Sequence, residues 1–365
     1  FARVMTVAKL EHFPISKTKV QDSPSFRLED PVDRRRYFEL KAGSEIEKLR
    51  DYLRTGTFVG FLLGKKNSGK GTYAKLFMEA IGGDRIAHIS VGDIVRLAKL
   101  ALSDPQPRNE LRQYLGRTYR GFVELDAALD QVLKWDVRTP LPTEIILALV
   151  QREIDRLGRK ALFVDGFPRN LDQVSYSLYF RALIGYRDDP DFFVFIDVPE
   201  AVIDERMKYR VVCPICQTPR NTRVLRTKEV GYDSITRQFF LHCDNPACRG
   251  ERLVAKEGDE LGIEAIRRRI ELEDAVMGTL ATLEGVPKVF LRNSVPVAVA
   301  DQYVDGYEIT PAYRYELDGG AVRVIEEPWV VRDDAGEESY SLLPAAVAVS
   351  LIRQTAGARS IFQRL

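Results

Sequence analysis

Five short apolar runs recur along the chain: TFVGFLL (57–63), RIAHIS (85–90), ALFVDGF (161–167), FFVFIDV (192–198) and PKVFLRN (287–293). They are nearly continuous rather than alternating and rich in Val, Ile and Phe, which predicts strands covered on both faces, as in a parallel sheet. Apolar positions at helical spacing fill 72–81, closed by Gly82-Gly83, and then 93–102, 144–157 and 199–208. Strand and helix therefore alternate, the pattern of an α/β sheet with helices on both faces. Two intervals, 104–143 and 209–262, are too long for simple crossovers and read as insertions. The first carries a core-like helical pattern over 121–135.

The ends differ from this rhythm. Residues 1–43 are irregular and charged, with Pro14, Pro24, Pro31 and the run Arg34–Arg36. They are expected to form an extended arm on the surface of the domain. Ser44-Glu45-Ile46-Glu47 has the capping-box spacing and predicts a short helix ending near Gly56. Beyond residue 305, a hairpin is expected around Asp318-Gly319-Gly320, followed by an apolar helix near 344–356. That helix is expected to pack on the domain in preference to a partner.

Composition narrows the class. The chain has 365 residues, 45% hydrophobic and 29% charged, with a formal net charge of +1. This is a globular balance that argues against a general nucleic-acid binder. No apolar stretch approaches the ~20 residues of a membrane span. The first residues show no apolar signal-peptide core. A monomeric cytoplasmic protein is the expectation. The four cysteines all fall between residues 213 and 248, too clustered for a secreted disulfide scaffold.

Chemistry concentrates at GKKNSGKGT, residues 64–72, directly after the first apolar run. Strand, glycine-rich loop and helix in that order let backbone N–H groups converge on an anion. The helix dipole and Lys70 add positive charge. A glycine-rich turn with solvated lysines is the plainer alternative, and the flanking strand and helix favour phosphate binding by Gly64, Ser68, Gly69, Lys70, Gly71 and Thr72. The usual motif has Ser or Thr directly after the lysine, whereas Gly71 intervenes here.

Cys213-Pro-Ile-Cys216 and Cys243-Asp-Asn-Pro-Ala-Cys248 would place two thiolate pairs on facing knuckles. Four such ligands suit a closed, tetrahedral, structural zinc site. Disulfides are one alternative, and a nucleic-acid-binding zinc ribbon another, weakened by few interleaved aromatics (Tyr232, Phe239, Phe240). His242 could replace one thiolate.

The GxxxxGKGT loop resembles that of adenylate kinases and related nucleoside monophosphate kinases, and other segments follow in that family's order over about 57–305. HISVGDIVR (88–96) resembles the segment whose closing arginine, here Arg96, holds the acceptor phosphate. VDGFPRNLDQ (164–173) is similar to the stretch in which Asp165 lies beside the magnesium site, Gly166 and Arg169 meet the acceptor phosphate, and Gln173 reads its base. DVPEAVIDERMKYRVVCPIC (197–216) resembles the entry to the lid, with Arg206 toward ATP and Arg210 catalytic. IRRRIELED (266–274) resembles the helix after the lid, which implies a phosphate-binding arginine at Arg269.

The resemblance implies a P-loop nucleoside monophosphate kinase fold built on a central parallel five-stranded sheet. Its core would span 44–305, with an acceptor-binding insertion at about 91–143 and a zinc-bearing lid at about 207–261. Residues 1–43 and 306–365 would be extensions. The implied reaction is Mg²⁺-dependent phosphoryl transfer from ATP to AMP, giving two ADP. UMP or CMP as acceptor, or a nucleotide-binding assembly protein with little turnover, are the alternatives. A monophosphate oxygen is already anionic, so no catalytic base is needed; cations must align the groups and neutralise charge, and a cover must exclude water. From Arg206 to Lys228 there are seven basic residues and no acidic one; the Arg220–Lys228 part is expected to be a solvated face. Two positions depart from the family: Val91 stands where AMP-specific members carry Thr, and KEGDE (256–260) replaces R-x-D-D, with Lys256 in place of arginine.

Overall fold

A computed structural model describes residues 13–135, 141–256 and 258–358. Its first helix, α1 (Pro31–Tyr52), starts well before the expected Ser44. Asp30 caps it, accepting the N–H groups of Val32 and Asp33 at 2.9 and 3.0 Å, and Pro31 occupies the first turn. Ala42 has non-helical dihedrals and kinks the helix there. The expected surface arm is thus corrected for 31–43. Tyr37, Phe38 and Ala42 lie in the core, and so does the Lys41 side chain. A buried ammonium must be paired, and Lys41 bonds Asp305 at 2.5 Å and the Thr18 carbonyl at 2.8 Å.

The next elements follow the predicted rhythm: β1 (Val59–Gly64), α2 (Lys70–Ile81), β2 (Ile86–Ser90) and α3 (Val91–Leu102). Two inserted helices, α4 (Pro105–Thr118) and α5 (Leu125–Lys134), precede α6 (Thr143–Leu157). Then come β3 (Ala161–Asp165), α7 (Val174–Leu183), β4 (Asp191–Asp197) and α8 (Glu200–Lys208). The cysteine-bearing insertion folds as small antiparallel pieces: β5 (Arg210–Val212), β6 (Pro219–Asn221), β7 (Val230–Asp233), β8 (Gln238–Leu241) and β9 (Val254–Ala255). Next are α9 (Arg267–Ala281) and β10 (Lys288–Arg292).

The central sheet has five parallel strands in the order β10-β4-β1-β3-β2. Phe61 and Leu63 of β1 face one hydrophobic cluster and Leu62 faces the other, so the strand is buried on both sides. That explains its unbroken apolar sequence. Leu111, Leu115, Leu129 and Val132 anchor α4 and α5 in the cluster beneath α3 and α6.

After β10 the chain makes an excursion: β11 (Ser294–Pro296), α10 (Ala300–Tyr303), β12 (Pro311–Asp318), β13 (Ala321–Pro328), β14 (Val330–Arg332) and β15 (Glu338–Ser341). The turn between β12 and β13 uses Gly319 and Gly320 at φ of 56° and 88°, left-handed values that a hairpin turn of this type requires. The excursion returns to its origin. Leu342 N–H donates to the Asn293 carbonyl at 2.8 Å, and the Asn293 amide donates back to Leu342 at 2.9 Å. The last helix, α11 (Pro344–Gly357), then packs in the core, with Ala346, Val347, Leu351 and Ile352 fully buried. It contacts α1, α2 and β10, so the first and last described helices meet there. Among the described residues no helix is long and apolar enough to cross a membrane.

Candidate nucleotide site and cysteine cluster

β1 delivers Gly64 to the carboxyl end of the sheet, and α2 starts at Lys70. The loop between them is tight. A Cβ on Gly64 would come within 2.9 Å of the Ile196 carbonyl, and Gly69, at φ 97°, closes the loop onto the helix. Gly71 faces His88, whose ring an added Cβ would meet at 3.2 Å, and Thr72 follows, exposed, on the first turn. Ser68 is completely buried, and its Oγ has no hydrogen-bond partner among the described residues. Lys70 Nζ donates to the carbonyls of Gly64 at 2.8 Å and Lys65 at 3.1 Å and stands 3.9 Å from Asp165.

Cations gather around this loop from five elements. Arg169, after β3, is largely buried; Gly92 and Gly166 leave room for its guanidinium, and its Nε has no partner among the described residues. Burial, with Arg269 nearby, lowers its pKa from the ordinary arginine value; a guanidinium stays charged regardless. Burial and the charges of Arg269 and Arg210 likewise lower Lys66. Arg269 Nε bonds Glu273 at 2.9 Å, and the other Glu273 oxygen accepts the Lys66 N–H at 2.6 Å. Arg206 reaches the Asn67 carbonyl at 3.3 Å. Arg210 forks onto Asp259 at 2.5 and 2.8 Å, so the aspartate of KEGDE holds the arginine at the start of β5. Arg96 pairs with Asp93 on the exposed side of α3.

A cleft of about 760 Å³ runs along this surface. Lys70, Asp165, Arg206 and Arg210 line it, with Ser90, Ile94 and Leu97 on one side. Gly166 and Arg169 line a narrower pocket on the other side of Lys70. Val91 is 2% exposed and packs in the core beneath α3, outside the cleft lining. Gln173 is also buried, with Oε1 bonded to the Arg169 N–H and Nε2 to Thr143. The Arg220–Lys228 run is more engaged than a solvated face. Arg220 pairs with Asp244 and lines the cleft, Arg223 pairs with Glu205, and Arg226 lies over the Tyr313 ring.

Sequence reasoning missed His88, Glu273 and Lys65. Burial lowers the pKa of His88, which stands 3.9 Å from Asp165. Glu273 lies four residues after Arg269, a helical ion-pair spacing that could have drawn notice. Lys65 pairs with Asp334 at 2.8 Å and Glu200 at 3.6 Å; Asp334 comes from the excursion, and nothing local announces that contact.

The four cysteine sulfurs of Cys213, Cys216, Cys243 and Cys248 lie within 4.8 Å of one another and can hold a metal ion. All four are free thiols, which sets aside disulfides in this arrangement. Gln217 and Arg249 take left-handed dihedrals that turn the two knuckles, at φ 58° and 51°. His242 is not part of the set: its Nδ1 bonds the Gly250 carbonyl at 2.7 Å.

No protein-family model matches the chain. It is 30% identical over 247 residues to an adenylate kinase of Borrelia turicatae, covering 67% of this chain and 93% of that protein. It is 27% identical over 241 residues to the mitochondrial GTP:AMP phosphotransferase of Drosophila melanogaster, covering 63% and 90%. A probable UMP-CMP kinase 2 of Arabidopsis thaliana is 27% identical over 168 residues, and there the chain spans 53% of its relative's length. Sheet order, phosphate loop and these likenesses agree: the chain belongs to the adenylate kinase family of nucleoside monophosphate kinases.

Proposed function

We propose that this protein transfers the γ-phosphoryl group of ATP to AMP, giving two ADP. The observation that carries the reading is the convergence of Lys70, Arg169, Arg206, Arg210 and Arg269 on one phosphate loop, with Asp165 at the end of β3. An oxygen of the AMP phosphate attacks the γ-phosphorus, the bond to the β–γ bridging oxygen breaks, and ADP leaves. Both reacting groups are anions, so the chain's task is alignment and charge neutralisation. Lys70 and the loop N–H groups would hold the donor phosphates, and Arg96, Arg169 and Arg269 the phosphates on the acceptor side. Arg206 and Arg210 would act from the cover, with residues 207–261 as lid and 91–143 as acceptor insertion.

The Asp165 carboxylate, on the cleft wall 3.9 Å from Lys70, suits a hard cation. Mg²⁺ there would neutralise charge on the transferring phosphates. In the lid, a structural Zn²⁺ fits four thiolates with no open position.

AMP as acceptor is favoured by the relatives matched over most of their length, whose names specify adenylate or AMP. The likeness to a UMP-CMP kinase supports the second reading. Coupled measurement of ADP formation with AMP, UMP, CMP and GMP decides between them. AMP is expected to give the highest kcat/KM. A higher value for UMP or CMP overturns the acceptor, and no turnover with any monophosphate overturns the reaction.

A further inference from the structure

The cleft at the phosphate loop has two unlike arms. One carries Lys75, Asp93 and Glu153 beside Ile94 and Leu97; the other runs past Arg206 and Arg220 to Val224, Leu225, Trp329, Leu343 and Pro344. Thr310 and Trp329 on this second arm belong to the excursion between β10 and α11, to which the reaction described above gives no role. They flank the root of its hairpin, Thr310 just before β12 and Trp329 just after β13, where Pro311 pairs with Pro328.

Two independent features suit this arm to a nucleobase. It offers the Trp329 indole beside the aliphatic side chains of Val224, Leu225 and Leu343, a surface on which a flat base can stack. It also holds an unsatisfied polar group. Thr310 is 7% exposed, and its Oγ1 is buried without a partner among the described residues, although the residue lines the cleft. Such a hydroxyl costs stability until something bonds it.

We propose that Trp329 and Thr310 form the base-binding wall for the phosphoryl donor, the indole meeting the face of the base and the hydroxyl its polar edge. This rests on reading the phosphate loop as the donor site: a nucleoside triphosphate anchored at Lys70 lays its base along the apolar arm. The ligand class is a purine nucleoside triphosphate. A threonine hydroxyl both donates and accepts, so it serves the amino edge of adenine and the carbonyl edge of guanine alike. The wall therefore tolerates ATP and GTP. The same hairpin grips the lid: the Tyr313 N–H donates to the Arg223 carbonyl and the Tyr315 hydroxyl to the Thr222 carbonyl, each at 2.6 Å. Base binding and lid seating thus share one element.

The test combines fluorescence, calorimetry and kinetics on the full chain, which has two tryptophans. ATP and GTP are expected to change the wild-type emission and inorganic tripolyphosphate to leave it unchanged, with the ATP response lost in Trp329→Phe. Trp329→Ala is expected to raise the donor KM about tenfold, the scale of one lost stacking contact, with the acceptor KM unchanged and most affinity restored by Trp329→Phe. Thr310→Val is expected to raise the donor KM as well. Calorimetric ATP binding with silent emission and a donor KM within about twofold in Trp329→Ala overturns the wall alone. Absence of ATP binding to the wild type overturns the donor-site reading and the wall with it.

Discussion

Gln173 fastens Arg169 in place: its Oε1 accepts the Arg169 backbone N–H at 2.8 Å, while its Nε2 donates to Thr143 at 3.3 Å. Both ends of a side chain expected to read the acceptor base are therefore used inside the protein. Gln173→Ala removes the tether from the loop that presents a buried guanidinium. It is expected to lower kcat/KM about tenfold for AMP, UMP and CMP in parallel, since small misplacement of a positioning group costs rate whatever the base. Gln173→Glu keeps an oxygen for the Arg169 N–H and should recover part of the loss. A change in the ranking of monophosphates with Gln173→Ala would instead restore the residue as a base reader.

The carboxyl of Asp274 gives a pH dependence to stability. Burial raises its pKa from 3.8 to about 6, helped by Glu200, Asp334 and Glu273 against the pull of Lys65. A raised folded pKa means that the folded state binds the proton more tightly than the unfolded chain. The contribution favours folding below about 4 and is lost as pH rises through about 6. Asp274→Asn should therefore raise Tm at pH 8 and give a smaller gain, or none, at pH 4.5. Thermal melts at the two pH values check this, and an equal shift at both would exclude it.

The sheet was legible because its signals are local. A strand buried on both faces must be apolar throughout, and a phosphate loop is a contiguous motif between a strand and a helix. Even the early start of α1 had a sequence signature, Asp30 before Pro31, but it competed with the capping-box spacing at Ser44. Non-local pairings left no such trace. Nothing adjacent in sequence says that Leu342 returns to Asn293, that Asp334 pairs with Lys65, or that Asp259 occupies Arg210. The acceptor-pocket expectations show the same limit. Val91 opens α3, two residues before the predicted start at 93, and the orientation of the helix buries it and turns Ile94 and Leu97 toward the cleft.

The cysteine cluster should carry one zinc per chain. Metal analysis of protein purified without added metal checks this, and chelation is expected to lower Tm because binding energy here is folding energy. Amide exchange should rise in 210–255 and stay unchanged in β1 and β4. Recovery of the protein metal-free at full stability would refute the assignment.

Tyr315 provides a test of the hairpin's hold on the cysteine-bearing insertion. Its hydroxyl bonds the Thr222 carbonyl, and its ring lies 5.6 Å from that of Phe239. Tyr315→Phe keeps the ring contact and removes one hydrogen bond, worth ~1 kcal/mol. If separation of the cysteine-bearing insertion from the hairpin governs exchange, amides of 219–241 should exchange about fivefold faster, with core amides unaffected. Unchanged exchange would mean that the contact does not restrain the insertion.

Lys70 carries the sharpest prediction about catalysis. Its ammonium rests on two loop carbonyls, 2.8 Å from Gly64 and 3.1 Å from Lys65, and stands 3.9 Å from Asp165, with 11% of the side chain exposed. Lys70→Ala removes charge at the phosphate site together with two hydrogen bonds to the loop, so a modest fall in Tm is expected while the fold is kept. Catalysis should suffer, because a preorganised cation at the transferring group stabilises charge that spreads in the transition state. Loss of one such group typically costs about a hundredfold or more in kcat. Single-turnover ADP formation alongside a thermal melt separates the two effects. A variant that stays folded and turns over within about threefold of wild type, less than ~1 kcal/mol in the barrier, would remove Lys70 from the reaction. The phosphate-loop reading would fall with it.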